Sequence, residues 1–255
     1  MVFLHGLMGS GVNWRKIVSH LKEDFQVLIY DQRGHGRSFK PDSGYTPEDY
    51  SIDLKLILEE LGWRKIHLIG HSMGGRNALR FGFKFPNFLE SLVIEDIGPE
   101  GNPEAMERTL KLLDLVPAPF PDKATAKSFF DNDFPDLVKH HPQKKIIGPY
   151  LYTNIEEKED GLADWRFFKD GIVESLRLGH FHERWEEVKA ISCPCLWVRG
   201  ENSDDLTAEE FDKIQAANPS IRAEVIPGAG HWVHFDKPAE FIQVLKEFYS
   251  QIGHL

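Results

Sequence analysis

The sequence predicts an α/β fold in which a mostly parallel sheet of about six strands is flanked by helices and carries an inserted helical lid. Two observations predict it. Short runs rich in Val, Ile, Leu and Phe alternate with amphipathic stretches, and one long middle segment interrupts the alternation. Such apolar runs are typical of parallel strands that are buried on both faces. With 255 residues, 41% of them hydrophobic, the chain is long enough for one large core.

The elements follow from this alternation. Strands are expected at residues 2–5, 25–31, 66–70, 90–96, 194–199 and 221–226. Helices are expected at 12–22, 47–62, 73–84, 207–217 and 238–251. The second helix has the clearest start, because Thr46 suits the N-cap and Pro47 the first helical position.

Residues 99–190, here called the lid segment, depart from the pattern. They hold no convincing strand, and Pro, Phe, Trp and charged residues are scattered through helix-like stretches. One long disordered excursion is the alternative, but the many aromatic residues argue against it. We therefore expect a core formed by residues 1–98 and 191–255, with the lid segment inserted between them.

The composition excludes several partners. The net charge of −10 disfavours nucleic acids and anionic membrane surfaces, so a small neutral or weakly charged molecule is the expected ligand. No apolar run reaches the roughly 18 residues of a membrane span, and the N-terminus lacks the features of a signal peptide. The two cysteines, Cys193 and Cys195, are too close together to staple the fold, which favours a reducing, cytoplasmic location.

A nucleophile motif follows the third predicted strand. Gly70-His71-Ser72-Met73-Gly74 lies between the apolar run at 66–69 and a helical stretch. This strand, sharp turn and helix order is the context of the G-x-S-x-G elbow, where glycines on either side of the serine avoid collisions. A plain tight turn is the alternative. The motif and its context favour Ser72 as a nucleophile, with His71 as a packing residue.

A serine nucleophile needs an imidazole base. His231 lies in a glycine-rich loop after the last predicted strand and before the last helix, where this chain order places the base. His234 is the rival. Histidines of the lid segment more often belong to a solvated face than to a metal site; they are His140, His141, His180 and His182.

The acid is open between two aspartates. An acid after the strand at 194–199 would be expected at the position of Ser203, so Asp204 serves only if the loop is shifted by one residue. Asp96 ends the strand at 90–96, at the sheet edge where catalytic residues gather. Asp96 is the preferred assignment and Asp204 the alternative. A turn or cap residue is the non-catalytic interpretation of Asp96.

The loop after the first strand supplies an oxyanion site. His5-Gly6-Leu7-Met8 brings a backbone amide towards the nucleophile, so the amides of Leu7 and Met73 are the expected donors. Apolar side chains are expected to line an acyl pocket, although each could equally be ordinary core: Met8, Phe120, Trp165 and Trp232.

Together these motifs resemble the α/β-hydrolase family. The resemblance rests on His-Gly after the first strand, Asp31-Gln32-Arg33-Gly34-His35-Gly36, the elbow, and Gly-Ala-Gly-His-Trp before the last helix. Residues 93–99, 152–154, 165–166 and 199–203 are similar more narrowly to the YbfF-type esterases and their eukaryotic abhydrolase relatives. In that branch the acid follows the earlier strand and serine occupies the later loop, which supports Asp96. The resemblance also implies that no metal and no organic cofactor are needed.

The resemblance implies a serine carboxylesterase that acts on esters of small to medium acyl chains. Thioesters of the same acyl chains are a second substrate class that it allows. Carbon-carbon hydrolases and perhydrolases share the triad, and a ligand-binding protein with low turnover is a further alternative. Relatives carry a β-hairpin before the first strand, and this sequence begins within that strand. A misassigned or truncated start is one explanation. If the chain is complete, the strand at 25–31 is expected at an unprotected sheet edge, which favours association, although the sequence does not decide the oligomeric state.

Overall fold

A six-stranded parallel sheet forms the centre of the molecule, in a computed structural model that describes residues 1–141 and 143–255. The strands are β1 (Val2–Leu4), β2 (Leu28–Ile29), β3 (Ile66–His71), β4 (Leu89–Glu95), β5 (Ile155–Glu157), β6 (Ala163–Trp165), β7 (Cys195–Gly200) and β8 (Ile221–Ile226). The order across the sheet is β2-β1-β3-β4-β7-β8, and β5 and β6 form a separate antiparallel pair. This is the α/β fold that the sequence predicts.

Helices cover both faces of the sheet. They are α1 (Arg15–Val18), α2 (Pro47–Glu60), α3 (Met73–Lys84), α4 (Pro103–Asp114), α5 (Lys123–Ser128), α6 (Phe134–Leu137), α7 (Lys144–Tyr152), α8 (Lys169–Gly179), α9 (Trp185–Lys189), α10 (Ala208–Ala217), α11 (Val233–Asp236) and α12 (Pro238–Gln251). Short 3₁₀ turns at Gly11–Trp14 and Pro86–Phe88 and a π turn at Phe129–Asp133 complete them. Within the described part of the chain, no helix has both the length and the apolar composition needed to cross a membrane.

Alternating side chains divide the core between the two faces. In β3, Leu68 packs in a cluster with residues of α2, α3 and α10, whereas Ile69 joins a second cluster with α12 and Trp14. Both side chains are fully buried, and each such burial stabilises the fold by about 1.5–3 kcal/mol. The strands thus read as continuous apolar runs because both of their faces are covered.

Two predicted elements are shorter than expected. The strand predicted at 25–31 is only Leu28–Ile29, because this edge strand pairs with β1 alone and β1 itself has three residues. The helix predicted at 12–22 is divided into the 3₁₀ turn at Gly11–Trp14 and the single turn of α1. Among the described residues, β2 is the first strand in the order across the sheet.

The lid segment contains α4 to α9, and it also holds the β5–β6 hairpin, so the expectation of a segment without strands is wrong. These strands have three residues each and carry exposed or half-exposed charges at Glu156, Glu157 and Asp164, so no apolar run marks them. The lid segment has its own aromatic core, which contacts Met8 and Trp232. It therefore packs against the loops at the carboxyl edge of the central sheet.

Candidate active site

Ser72 sits on the sharp turn between β3 and α3. Its backbone has φ 53° and ψ −120°, a conformation that costs a side-chain-bearing residue about 1–3 kcal/mol. A Cβ added at Gly70 would lie 2.2 Å from the Gly74 carbonyl oxygen, and one added at Gly74 would lie 2.4 Å from that of Leu4. The glycines on either side are therefore required by close approach of the backbone, as the motif predicts.

The imidazole of His231 lies beside the serine. Ser72 Oγ is 3.0 Å from His231 Nε2, and His231 Nδ1 is 2.8 Å from Asp96 Oδ2. A carboxylate can only accept, so Nδ1 carries the proton and Nε2 is free to accept from the serine hydroxyl. The structure thus brings together Ser72, His231 and Asp96, the three residues preferred from the sequence.

Asp96 is held by three donors. Besides His231, the backbone N–H of Gly200 donates to Oδ1 at 2.8 Å, and the hydroxyl of Ser203 donates to Oδ2. Because β4 pairs with β7, the end of β4 lies directly beside the loop after β7. The serine in the later loop therefore contacts the carboxylate that the earlier strand carries.

The rival acid lies elsewhere. Among the described residues, Asp204 makes no contact with His231 within 4.0 Å, whereas its neighbour Asp205 has Oδ2 at 3.5 Å from His231 Nδ1. Asp205 also faces Arg108, at 3.9 Å. The loop therefore brings a second carboxylate to the imidazole, but it is the residue after the one considered from the sequence.

The charges around His231 favour its protonated form. Burial by itself lowers the pKa of His231, but the carboxylates of Asp205 and Asp96 outweigh burial and raise this pKa to about 9. Burial raises the pKa of Asp96, and the hydrogen bonds from His231, Ser203 and Gly200 oppose that rise. The pair is thus arranged to stabilise an imidazolium next to a carboxylate.

The expected oxyanion donors lie at the same place. Leu7 and Met73 line the cavity that contains Ser72. Met73 is the first residue of α3, so its N–H has no acceptor within the helix. The hydroxyl of Tyr150 donates to the Leu7 carbonyl at 2.8 Å and so ties the loop after β1 to the lid segment.

Backbone strain is concentrated here. Among the residues that the structure describes, the non-glycine residues with positive φ are Met8 (58°), Ser72 (53°) and Asp96 (51°). Each follows the carboxyl end of a central strand and is part of the site or its cavity wall. Such strain persists only where the surroundings hold it in place, and it clusters at functional sites.

A cavity of about 960 Å³, its solvent-open mouth included, lies above Ser72. Of the four expected pocket residues, Met8 and Trp232 line it. Phe120 and Trp165 do not: they are buried in the aromatic core of the lid segment, so the expectation is wrong for these two. Instead, Leu112, Ile147 and Leu176 supply apolar wall, together with a charged group, Arg76, that the sequence analysis missed.

The rival base His234 belongs to a separate buried cluster. Its Nδ1–H donates to Glu95 at 2.7 Å, and its backbone N–H donates to the same carboxylate at 2.9 Å. His71 Nε2–H donates to the backbone oxygen of His231 at 2.9 Å. His71 is thus a packing residue of the elbow, as expected, that also holds the His231 loop.

His71, Glu95 and His234 also form a set of metal-ligand type, with one ligand atom of each within 4.8 Å of the others. His234 donates to Glu95, His71 donates to the His231 main chain, and the rings of His71 and His234 pack edge to face with centroids 5.0 Å apart. The lid histidines show no common ligand geometry in the described chain, and His180 lines the cavity.

Comparison with known proteins finds matches that extend over nearly the whole chain. A family model described as "Alpha/beta hydrolase family" matches residues 1–244. The sn-1-specific diacylglycerol lipase ABHD11 of Mus musculus is 31% identical over 255 residues, covering 97% of this chain and 80% of the relative. Among solved structures, a marine microorganism esterase is 31% identical with a TM-score of 0.82, covering 97% of this chain and 94% of that one.

A second solved structure, that of E-2-(acetamidomethylene)succinate hydrolase, is 25% identical with a TM-score of 0.85, covering 98% of this chain and 91% of that one. These similarities run from end to end and include the lid segment. Since the family model also matches nearly all of the sequence, the chain belongs to the alpha/beta hydrolase family.

Proposed function

We propose that this hydrolase is a serine carboxylesterase that cleaves esters of small to medium acyl chains through an acyl-enzyme. One observation carries the proposal: a continuous hydrogen-bonded chain links Ser72 Oγ to His231 Nε2 at 3.0 Å and His231 Nδ1 to Asp96 Oδ2 at 2.8 Å. This chain can deprotonate the serine and stabilise the resulting imidazolium.

In the acylation step, His231 takes the proton of Ser72 as Oγ attacks the ester carbonyl carbon. The amides of Leu7 and Met73 donate to the tetrahedral oxyanion. The imidazolium, held by Asp96, then protonates the leaving alcohol, and the acyl group remains on Oγ.

Water completes the cycle. His231 takes a proton from a water molecule, whose oxygen attacks the acyl carbon, and the second tetrahedral intermediate collapses to release the acid. The proton returns to Ser72 Oγ. The balance needs only ester and water, so the proposal includes no metal and no organic cofactor.

The apolar wall of the cavity suits the acyl group of a small to medium ester. This wall comes from Met8 and Trp232 of the core and from lid residues such as Leu112. One named relative is a diacylglycerol lipase and another is an acetamidomethylene succinate hydrolase, so both are hydrolases and their substrates differ. The substrate range therefore depends on this chain's own cavity wall.

The same three residues serve carbon-carbon hydrolases, perhydrolases and thioesterases, and a binding protein with little turnover would keep them as well. A fluorophosphonate probe with Ser72→Ala as the matched control separates enzyme from binding protein. We expect the wild-type protein to be labelled and the variant to remain unlabelled. Folded wild-type protein that resists the probe would contradict the enzyme assignment.

A panel of substrates then identifies which type of bond the enzyme cleaves. We expect p-nitrophenyl esters of short to medium acyl length to give higher kcat/KM than long-chain esters, and matched thioesters to show whether sulfur leaving groups are accepted. Labelling by the probe without hydrolysis of any ester would favour the carbon-carbon hydrolase or perhydrolase reaction instead.

For the compartment, we propose the cytoplasm. Cys193 and Cys195 are both free thiols, and burial raises the pKa of each, which keeps them unreactive. Immunolocalisation or fractionation of the expressing cell tests this proposal.

A further inference from the structure

The cavity wall contains a buried cation one helical turn from the nucleophile. Arg76 lies in the first turn of α3, and its backbone N–H donates to the Ser72 carbonyl at 3.1 Å. Its side chain lines the cavity although only 5% of the residue is exposed. Ser72 lines the same cavity, so the guanidinium and the nucleophile border one common space.

Within the described chain, this guanidinium has no carboxylate within 4.0 Å; Asp205 and Glu210 attract it only from farther away. Its hydrogen bond goes to a neutral acceptor, because Arg76 Nη2 donates to His180 Nδ1 at 3.1 Å. The backbone N–H of Asn102 donates to the same nitrogen, so Nδ1 carries no proton.

His180 therefore cannot neutralise the charge. Burial, together with the charges of Arg76 and Arg184, lowers the pKa of His180 to about 3. Burial also lowers the pKa of Arg76, but only to about 10, so the guanidinium remains charged near neutral pH. A cation this deeply buried is costly unless an anion pairs with it.

Three other arginines that are at least half-buried pair with carboxylates. Arg33 pairs with Asp53 at 2.5 Å, Arg80 with Glu48 at 2.7 Å, and Arg184 with Glu187 at 3.0 Å. Arg199 is also buried without a carboxylate, but it donates to the main-chain oxygen of Leu206, away from the cavity. Arg76 differs because its free donors border the space that the substrate enters.

We propose that Arg76 is a substrate-binding residue that pairs with a carboxylate of the substrate, so the preferred substrates are short esters bearing a carboxylate a few carbons from the ester bond. A planar guanidinium binds a carboxylate through two parallel hydrogen bonds, which fixes orientation as well as charge. The apolar wall then contacts the intervening carbons. The bond cleaved rests on the proposed function, whereas the carboxylate subsite does not require turnover.

The test compares matched substrates. Mono-p-nitrophenyl glutarate and p-nitrophenyl valerate have acyl chains of equal length and differ in a terminal carboxylate. The acetyl ester of 4-hydroxybutyrate and butyl acetate place the same difference in the alcohol. We expect one of the two anionic esters to exceed its neutral partner in kcat/KM, and Arg76→Gln to reduce that ratio at least about tenfold.

Two variants control for charge and folding. Arg80→Gln removes a guanidinium one turn farther along α3, at a site that pairs with Glu48 outside the cavity, and should leave the ratio unchanged. Arg76→Lys keeps the charge without the two-pronged geometry and should retain a preference between those of the wild type and Arg76→Gln. Circular dichroism verifies that each variant is folded.

Binding is measured separately from turnover. In calorimetry, valerate should bind the wild-type protein more tightly than the neutral valeramide, and Arg76→Gln should abolish this difference. If no ester is hydrolysed but the difference is present, the proposed function fails and the subsite stands. Equal binding of valerate and valeramide, or a preference that persists in Arg76→Gln, would overturn the subsite.

Discussion

Two acid–imidazole pairs lie side by side at the end of β4, and they have different environments. Asp96 accepts from His231 at 2.8 Å, and Glu95 accepts from His234 at 2.7 Å. Both acids are completely buried. The first imidazole contacts Ser72 and the cavity, whereas the second is stacked on Trp14 in the core, with ring centroids 4.4 Å apart.

The surroundings give the two imidazoles opposite pKa shifts. Burial and the nearby charge of His231 lower the pKa of His234 to about 3, and burial raises the pKa of Glu95 to about 7. His231 is partly buried, but Asp205 and Asp96 together raise its pKa. A carboxylate beside an imidazole is therefore not enough for base catalysis, because the imidazole must also reach the nucleophile and be stabilised when charged.

If the two pairs differ in function, removing the carboxylate of Asp96 should affect turnover far more than removing that of Glu95. We expect Asp96→Asn to lower kcat by about 10³–10⁴-fold, because the amide can no longer orient His231 or stabilise its cation. Hydrolysis of a p-nitrophenyl ester measures this loss. Asp204→Asn is the matched control and should remain active; the reverse result would make Asp204 the acid.

Ser203 should have a smaller effect. Its hydroxyl donates to the Asp96 carboxylate, and Ser203→Ala removes one of the three donors that hold this group. We expect kcat to fall by about tenfold, the usual effect of losing one hydrogen bond to a charged group, with little change in KM. A rate equal to that of the wild type would mean that the other two donors suffice.

The effect of Asp205 on His231 can be measured through the pH dependence of turnover. Its carboxylate favours the imidazolium, so Asp205→Asn should lower the pKa of His231 and move the acid limb of the kcat/KM profile to lower pH. Neutral imidazole is the active base, so kcat/KM near pH 7 should rise by about two- to fivefold as that pKa falls. Asp204→Asn should leave the limb in place. A limb that moves to higher pH would contradict this electrostatic assignment.

Glu95 should have the smallest effect on turnover and a clear effect on stability. Glu95→Gln weakens the bonds to His234, so we expect the free energy of unfolding to fall by about 1–3 kcal/mol while kcat falls by less than about tenfold. Chemical denaturation and ester hydrolysis measure the two quantities. A loss of activity as large as that of Asp96→Asn would make Glu95 part of the catalytic machinery.

The pH dependence of stability gives a second measurement on the same variant. The pKa of Glu95 is raised from 4.5 to about 7, so the folded protein binds this proton more tightly than the unfolded chain does. The stability of the wild type relative to Glu95→Gln should therefore decline as the pH rises from 4.5 through 7. A difference between the two proteins that does not vary with pH would contradict the raised pKa.

Local features were predictable where neighbouring residues determine them. The elbow around Ser72 follows from two glycines between a strand and a helix, and the position of His231 follows from a loop before the last helix. The choice between Asp96 and Asp204 was less accessible, since it depends on how the loop after β7 folds beside β4. The only sequence feature that indicated the contact between Ser203 and Asp96 was that Ser203 occupies a position where an acid is expected.

The cavity wall was the least predictable part. Phe120 and Trp165 have the apolar character of pocket residues, but aromatic residues that fill the lid's own core have the same character. Arg76 and Asp205 were missed because a charged residue on a helix or loop is usually solvated, and only packing shows which charge is enclosed.

Neighbouring residues were enough to predict the alternation of strands and helices and the positions of the proposed nucleophile and base, because periodicity and turn chemistry act between residues near each other in the chain. Only the folded structure shows that Asp96 contacts His231, that Glu95 and His234 form a separate buried pair, and that Arg76 faces the cavity. The physical reason is that a buried charge depends on partners brought together by strand order and lid packing, which no local pattern encodes.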